Sequence, residues 1–106
     1  RRQRQMCIRD SPDAAVPGRV DLRELMRELA KREVNEVHVE AGPRLSGALF
    51  AAGLIDEMLF YYAPCLFGAG MGPAAVPLPA EPGAAYRWRL QSLDQIGGDF
   101  RVLLRR

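Results

Sequence analysis

The chain has 106 residues, a net charge of +2, 48% apolar residues and 26% charged residues. This balance is typical of a globular protein, and the length suits one small domain or part of a larger one. The small charge gives no reason to expect a nucleic-acid partner, and no stretch has the roughly 18 apolar residues of a membrane-spanning helix. Two distant cysteines, Cys7 and Cys65, and one histidine do not make a metal site. We expect no metal, and reduced thiols in a cytoplasmic protein.

The first residues of the chain do not read as part of a fold. Residues 1–12 are basic, lack the apolar core of a signal peptide and show neither a helical nor a strand period. We therefore expect them to be a non-native or disordered extension, and we place the folded part at residues 13–106.

The first predicted helix begins at Asp21, which can cap it, and Glu24 follows three residues later at the spacing of a capping box. Its apolar positions recur at i, i+3, i+4 and i+7: Leu22, Leu25, Met26 and Leu29. The helix should end near Arg32 or Glu33. A strand is then predicted over residues 34–40, because valines alternate there with polar residues.

A second helix is predicted over Pro43–Ala52, after a break at Gly42. Its buried face should be formed by Leu45, Ala48, Leu49 and Ala52, with Gly53 just past its end. The nearly continuous apolar run Glu57–Ala63 predicts a central strand. We expect this strand to lie beside residues 34–40, with the second helix packed across both.

The remainder is predicted as a long loop and a hairpin. Glycines and prolines are frequent over residues 65–85, which indicates an irregular loop. Apolar residues alternate on both sides of the turn Gly97-Gly98: Tyr86, Trp88 and Leu90 before it, Phe100, Val102 and Leu104 after it. The order helix, strand, helix, strand and antiparallel hairpin predicts an α/β fold with a core thin enough to be half of a larger domain.

The junction Glu40-Ala41-Gly42-Pro43 is the best candidate for a binding site. A strand that runs through a glycine into a helix aims free backbone N–H groups outward, and the helix N-terminus attracts anions. Gly42 has no Cβ, so a phosphate can approach the backbone closely, and Ser46 could add a hydroxyl. The small residues Gly47 and Ala48 would let the helix pack closely on the sheet. An ordinary strand–helix turn remains the alternative.

The stretch "NEVHVEAGPRLSGALFAAGLIDEMLFYYAPCLFGAG", residues 35–70, resembles the reductase domain of the bifunctional riboflavin-biosynthesis deaminase/reductase family. The shared features are a strand ending in Glu-Ala-Gly, a proline, a small-residue helix, "GLIDE", an apolar strand and "AP". A weaker resemblance runs from about Asp13 to the C-terminus. It implies a dihydrofolate-reductase-like fold with a mixed sheet, of which this chain would be the C-terminal half.

The resemblance also implies a function. The family uses NADPH to reduce the ribosyl group of 5-amino-6-(5-phosphoribosylamino)uracil to a ribityl group. Glu40 matches the glutamate that contacts the substrate, and the segment along the cofactor phosphates is matched by Gly42, Pro43, Arg44, Leu45, Ser46, Gly47 and Ala48. A homodimer is also implied. No catalytic acid or base is assigned.

Other polar and aromatic residues have simpler interpretations. Asp56 and Glu57 are expected to be structural, and His38 to be solvated or packed. Tyr61, Tyr62 and Trp88 are expected in a core or a dimer interface. Two other functions stay open: an inactive fragment that serves as a dimerising module, and a related reductase of the same fold acting on another pyrimidine or pterin.

Overall fold

The computed structural model describes residues 18–106, so the predicted extension at residues 1–12 lies outside the described part of the chain. The described residues divide between Ala41 and Gly42 into two compact units, here called the first and the second unit, and each is described by itself. No helix among the described residues is long and apolar enough to cross a membrane.

The first unit contains helix α1, Leu22–Lys31, which the sequence predicted correctly. The side chain of Asp21 accepts hydrogen bonds from the backbone amides of Arg23 and Glu24, at 3.0 and 3.2 Å. These bonds satisfy two of the amides that a helix N-terminus leaves without partners. The carboxylate of Glu24 pairs with Arg27 one turn later.

Helix α1 ends in a left-handed residue that is not glycine. Glu33 has a φ of 63°. Its amide donates to Ala30 O at 3.0 Å, and the amide of Val34 donates to Leu29 O at 3.1 Å. Two such bonds close a helix C-terminus tightly, so the turn keeps its shape although a side chain occupies a position that favours glycine.

The predicted strand at residues 34–40 is wrong. The segment carries no strand assignment and no described strand pairs with it. Its valines are exposed, with 38% of Val34, 44% of Val37 and 44% of Val39 accessible to solvent. A strand exists through hydrogen bonds to a neighbour, which an alternating sequence pattern does not supply.

The second unit begins with helix α2, Pro43–Ala51, followed by strand β1, Glu57–Tyr62. After a long loop with one 3₁₀ turn at Pro82–Ala84 come strands β2, Arg89–Ile96, and β3, Asp99–Arg105. Gly53 lies just past the end of α2, as predicted, and has a φ of 70°. The predicted hairpin is confirmed, since Ile96 and Asp99 pair across the two glycines.

The three strands form an antiparallel sheet in the order β1-β3-β2. The expectation that β1 is central is therefore wrong, because among the described strands it has a neighbour on one side only. Both strand pairs of this described sheet are antiparallel, so these three strands by themselves do not form a mixed sheet. The α/β character itself is confirmed. Tyr86 and Trp88, predicted in the hairpin, lie before β2, which begins at Arg89.

The register sorts the side chains into two faces. One face, here called the apolar face, carries Met58, Phe60, Tyr62, Leu90, Leu93, Phe100, Val102 and Leu104. Four of them are strongly exposed: Tyr62, Leu90, Leu93 and Phe100, at 55%, 60%, 60% and 46%. The other face is largely polar. There Glu57 pairs with Arg105, and Asp94 accepts a hydrogen bond of 3.2 Å from Arg101, which raises the pKa of that arginine.

The core of the second unit is small. Leu49 of α2, at 4% exposure, is the buried apolar side chain among the described residues. Leu45 and Ala48, predicted on the buried face of α2, are exposed. The loop at Ala75, which no local pattern could reveal, lies against the backbone of α2 at Gly47 and sets which positions are covered.

An aromatic cluster ties the end of α2 to the end of the loop. The ring of Phe50 meets Tyr86 edge-on at 5.0 Å between centroids and lies 6.1 Å from the ring of Trp88. The guanidinium of Arg106 lies 5.9 Å from the centre of the Trp88 ring. Trp88 therefore serves the interior of this unit. Tyr61 and Tyr62, with 60% and 55% exposed, do not belong to a core.

Candidate functional site

The N-terminus of α2 presents backbone donors that the helix itself cannot satisfy. Its N-cap is Gly42, which has no side chain to accept a hydrogen bond, and Pro43 occupies the first turn. The amide of Ser46 donates to Gly42 O at 3.1 Å. The amides of Arg44 and Leu45 precede the first possible intrahelical bond. Helix α1, whose equivalent amides are taken by Asp21, shows the contrast.

Gly42 is open to solvent, and its backbone conformation is unstrained. A Cβ at this position would meet no atom of the described residues within 4 Å. Its φ of −71° and ψ of 174° are values that any residue adopts. The turn itself therefore does not require glycine. A requirement for a bare backbone here would come from a group that approaches from outside.

The side chains of the predicted cofactor segment fall into two groups. Arg44, Leu45 and Ala48 are exposed, and Pro43 and Ser46 are half-buried. Arg44 places a cation on the first turn, where it would add to the positive end of the helix dipole. Arg44 and Leu45, both exposed on the first turn, are thus available to a ligand at the N-terminus of α2.

Gly47 is the exception, because it is buried beneath the loop. A Cβ on Gly47 would lie 2.8 Å from the carbonyl carbon and 2.9 Å from the amide nitrogen of Ala75, with the carbonyl oxygen closer still. Small size at this position thus serves the approach of another backbone. We expected the small size of Gly47 to let α2 pack on the sheet; in the structure it lets α2 pack on the loop.

Glu40, the predicted substrate contact, belongs to the first unit, so the structure does not join it to α2 in one described site. Its side chain is 87% exposed and lies 3.3 Å from Nε2 of His38. His38 is itself 70% exposed, so of its two expected roles, solvated or packed, the structure favours the solvated one. Glu40 thus has free acceptor capacity toward solvent or a ligand.

Ala75 is the residue near this site that the sequence did not identify. Its amide donates to the carbonyl of Pro43 at 2.8 Å. Nothing distinguishes Ala75 within its run of small residues. The available signal was Gly47, since a glycine inside a helical pattern often marks the close approach of another backbone.

Comparison with known proteins decides the family. A family model described as RibD C-terminal domain matches residues 1–102. The chain belongs to the RibD C-terminal domain family. The riboflavin biosynthesis protein RibD of Haemophilus influenzae is 45% identical over 82 residues, which are 76% of this chain and 22% of that protein. The Escherichia coli RibD is 39% identical over 83 residues, which are 77% and 23% of the two chains.

Two further relatives extend the comparison. A 5-amino-6-(5-phosphoribosylamino)uracil reductase from Buchnera aphidicola is 31% identical over 87 residues, 81% of this chain and 42% of that protein. Acinetobacter baumannii RibD superposes with a TM-score of 0.73 at 30% identity and covers 83% of this chain and 26% of its own. This RibD match confirms the dihydrofolate-reductase-like fold class. The chain spans about a quarter of the length of the RibD relatives.

Proposed function

We propose that this chain is part of an NADPH-dependent reductase that converts the ribosyl group of 5-amino-6-(5-phosphoribosylamino)uracil to a ribityl group. Its family membership and the name of the Buchnera relative support this substrate. The observation that carries the proposal is the N-terminus of α2, where Gly42 leaves backbone donors free in the segment that matches the cofactor-binding stretch of the family.

The donor set fits the phosphate groups of the cofactor. The amides of Arg44 and Leu45 can donate to a phosphate oxygen, and the helix N-terminus favours a negative charge there. The exposed guanidinium of Arg44 can pair with a second oxygen. Gly42 leaves the space through which the phosphate approaches. Gly47 is not proposed to contact the phosphate, because it is buried against the backbone of the loop.

Glu40 is proposed to bind the substrate. Its exposed carboxylate offers acceptors for the hydroxyl and amino groups of a ribosylamino-pyrimidine. The bound cofactor supplies the hydride, and the residues of the chain hold the reactants in position. An acid–base pair is therefore not required for the proposed reduction.

Two isosteric substitutions at Gly42 test the phosphate site. Aspartate and asparagine are both favourable N-cap residues, so neither Gly42→Asp nor Gly42→Asn should weaken α2. Only aspartate adds a negative charge beside the phosphate. We expect NADPH to bind Gly42→Asp about tenfold more weakly than Gly42→Asn, which corresponds to about 1.4 kcal/mol. Isothermal titration at two salt concentrations measures the difference, which should shrink at high salt.

Equal NADPH affinity of the two variants and the unsubstituted chain would contradict a phosphate site at α2, and so would a chain that binds no NADPH. Glu40→Gln provides the complementary measurement. It keeps the size of the side chain and removes its charge, so in the whole reductase of which this chain is a part NADPH affinity should persist while turnover of 5-amino-6-(5-phosphoribosylamino)uracil falls. A loss of NADPH affinity in Glu40→Gln would place that residue with the cofactor.

We also propose that the protein forms a homodimer in the cytoplasm. The exposed side chains of the apolar face, among them Leu90 and Leu93, form a surface that a second copy can cover. Cys65 is an exposed free thiol, which suits a reducing compartment. The dimer is tested by its mass in solution, as described below.

A further inference from the structure

The first turn of α2 poses a physical problem. The helix has nine residues, a glycine in its interior and no capping side chain, and such a helix frays at its end. A capping side chain would order the turn, but it would accept hydrogen bonds from the amides that the proposed phosphate site needs. Order must therefore come from a contact that leaves those amides free.

The loop provides such a contact. The amide of Ala75 donates to Pro43 O at 2.8 Å, so the loop binds the first turn through a carbonyl and not through a donor. A carbonyl has two lone pairs, which allows Pro43 O to accept this bond in addition to the helical bond from Gly47. The amides of Arg44 and Leu45 are left unoccupied by this arrangement.

Gly47 makes the contact possible. Residues four apart lie on one face of a helix, so Pro43 and Gly47 face the same side. The backbone of Ala75 occupies the space that a Cβ on Gly47 would take. Two residues further along the loop, Pro77 O accepts a hydrogen bond of 3.3 Å from the hydroxyl of Tyr86. Elsewhere in the loop the large side chains are free of packing: Leu66, Phe67, Met71 and Leu78 are 99%, 97%, 86% and 93% exposed.

We propose that residues 74–76 form a strap that holds the first turn of α2 in helical form with its phosphate-facing amides free, and that Gly47 is the positioning residue for this strap. The inference rests on the proposed function for the identity of the ligand. The strap itself is a property of the fold and is measurable without a ligand.

Amide hydrogen exchange in the 106-residue chain tests the strap through Gly47→Ala. We expect exchange to accelerate at least tenfold at the amide of Ala75 and at that of Ser46, whose bond to Gly42 closes the first turn. The amide of Val102 in β3 should be unchanged, since a general loss of stability would accelerate exchange there too. Gly98→Ala is the matched control, because a Cβ at Gly98 meets no described atom within 4 Å.

The direction of the change in melting temperature gives an independent test of the strap. Alanine is a better helix former than glycine, so Gly47→Ala should raise the melting temperature if the helix surface were open. We expect a lower melting temperature because the strap occupies that space. A second variant, Ala75→Pro, removes the N–H that donates to Pro43 and leaves Gly47 in place. It should accelerate exchange at Ser46 as Gly47→Ala does.

Unchanged exchange at Ala75 and Ser46 in Gly47→Ala would overturn the strap, and so would equal acceleration at Val102. NADPH titration separates the strap from the proposed function. We expect affinity to fall at least fivefold in Gly47→Ala and to persist in Gly98→Ala. Altered exchange with unchanged NADPH affinity would support the strap and overturn only its role in NADPH binding. Altered exchange in a chain that binds no NADPH would support the strap and refute the proposed function.

Discussion

Arg106 binds the short segment that connects α2 to β1, and its removal should destabilise the second unit. Its Nη2 donates to Gly53 O and to Ile55 O, both at 2.7 Å. The same guanidinium lies 5.9 Å from the centre of the Trp88 ring. The backbone amide of Arg106 also donates to Asp56 O at 3.1 Å, and this bond survives any side-chain substitution.

The magnitude follows from these contacts. In Arg106→Met the aliphatic stem is kept, while two charge-assisted hydrogen bonds and one cation–π contact are lost. Each hydrogen bond contributes about 1 kcal/mol when partly exposed, and the cation–π contact about 0.5 kcal/mol. Because the side chain is exposed, part of this is recovered from water, and we expect a net loss of about 1.5 kcal/mol. The free energy of unfolding is measured by urea titration followed by circular dichroism.

The neighbouring arginine provides the matched control. Arg105 pairs with Glu57 across the sheet, and the two side chains are 53% and 41% exposed. An exposed pair of this kind contributes about 0.5 kcal/mol, and salt weakens it. Arg105→Met should therefore cost about a third as much as Arg106→Met. A loss in Arg106→Met no larger than that in Arg105→Met would refute the reasoning that Arg106 stabilises the segment between α2 and β1.

Three further expectations concern the ends of α1 and the apolar face. Asp21→Ala should lower the free energy of unfolding by about 1 kcal/mol in urea titration, whereas Asp21→Asn keeps an acceptor and should cost much less. Glu33→Gly should raise stability by up to about 1 kcal/mol, since glycine adopts the left-handed conformation without the steric cost; a loss would mean that the Glu33 side chain contributes contacts. Light scattering at tens of micromolar should give a dimer mass, and Leu93→Lys should give a monomer; a monomer before substitution would contradict the proposed homodimer.

The sequence by itself determined the elements that short-range chemistry controls. Asp21 and Pro43 start the two helices because a capping carboxylate and a proline act within one turn. Gly53 and the pair at Gly97 end an element or reverse the chain because backbone conformation at one residue is sufficient. The candidate site was predicted for the same reason, because a glycine followed directly by a helix start can be recognised in the sequence itself.

The tertiary structure decided which of these segments meet. Residues 34–40 alternate like a strand, but pairing requires a neighbour, and no described strand supplies one. The apolar run of β1 predicted a central strand, yet its only described neighbour is β3. The contact of Ala75 with α2 and that of Arg106 with Gly53 join residues about 30 to 50 positions apart. Local composition does not encode which distant backbone fills a gap, because that depends on how the whole chain closes on itself.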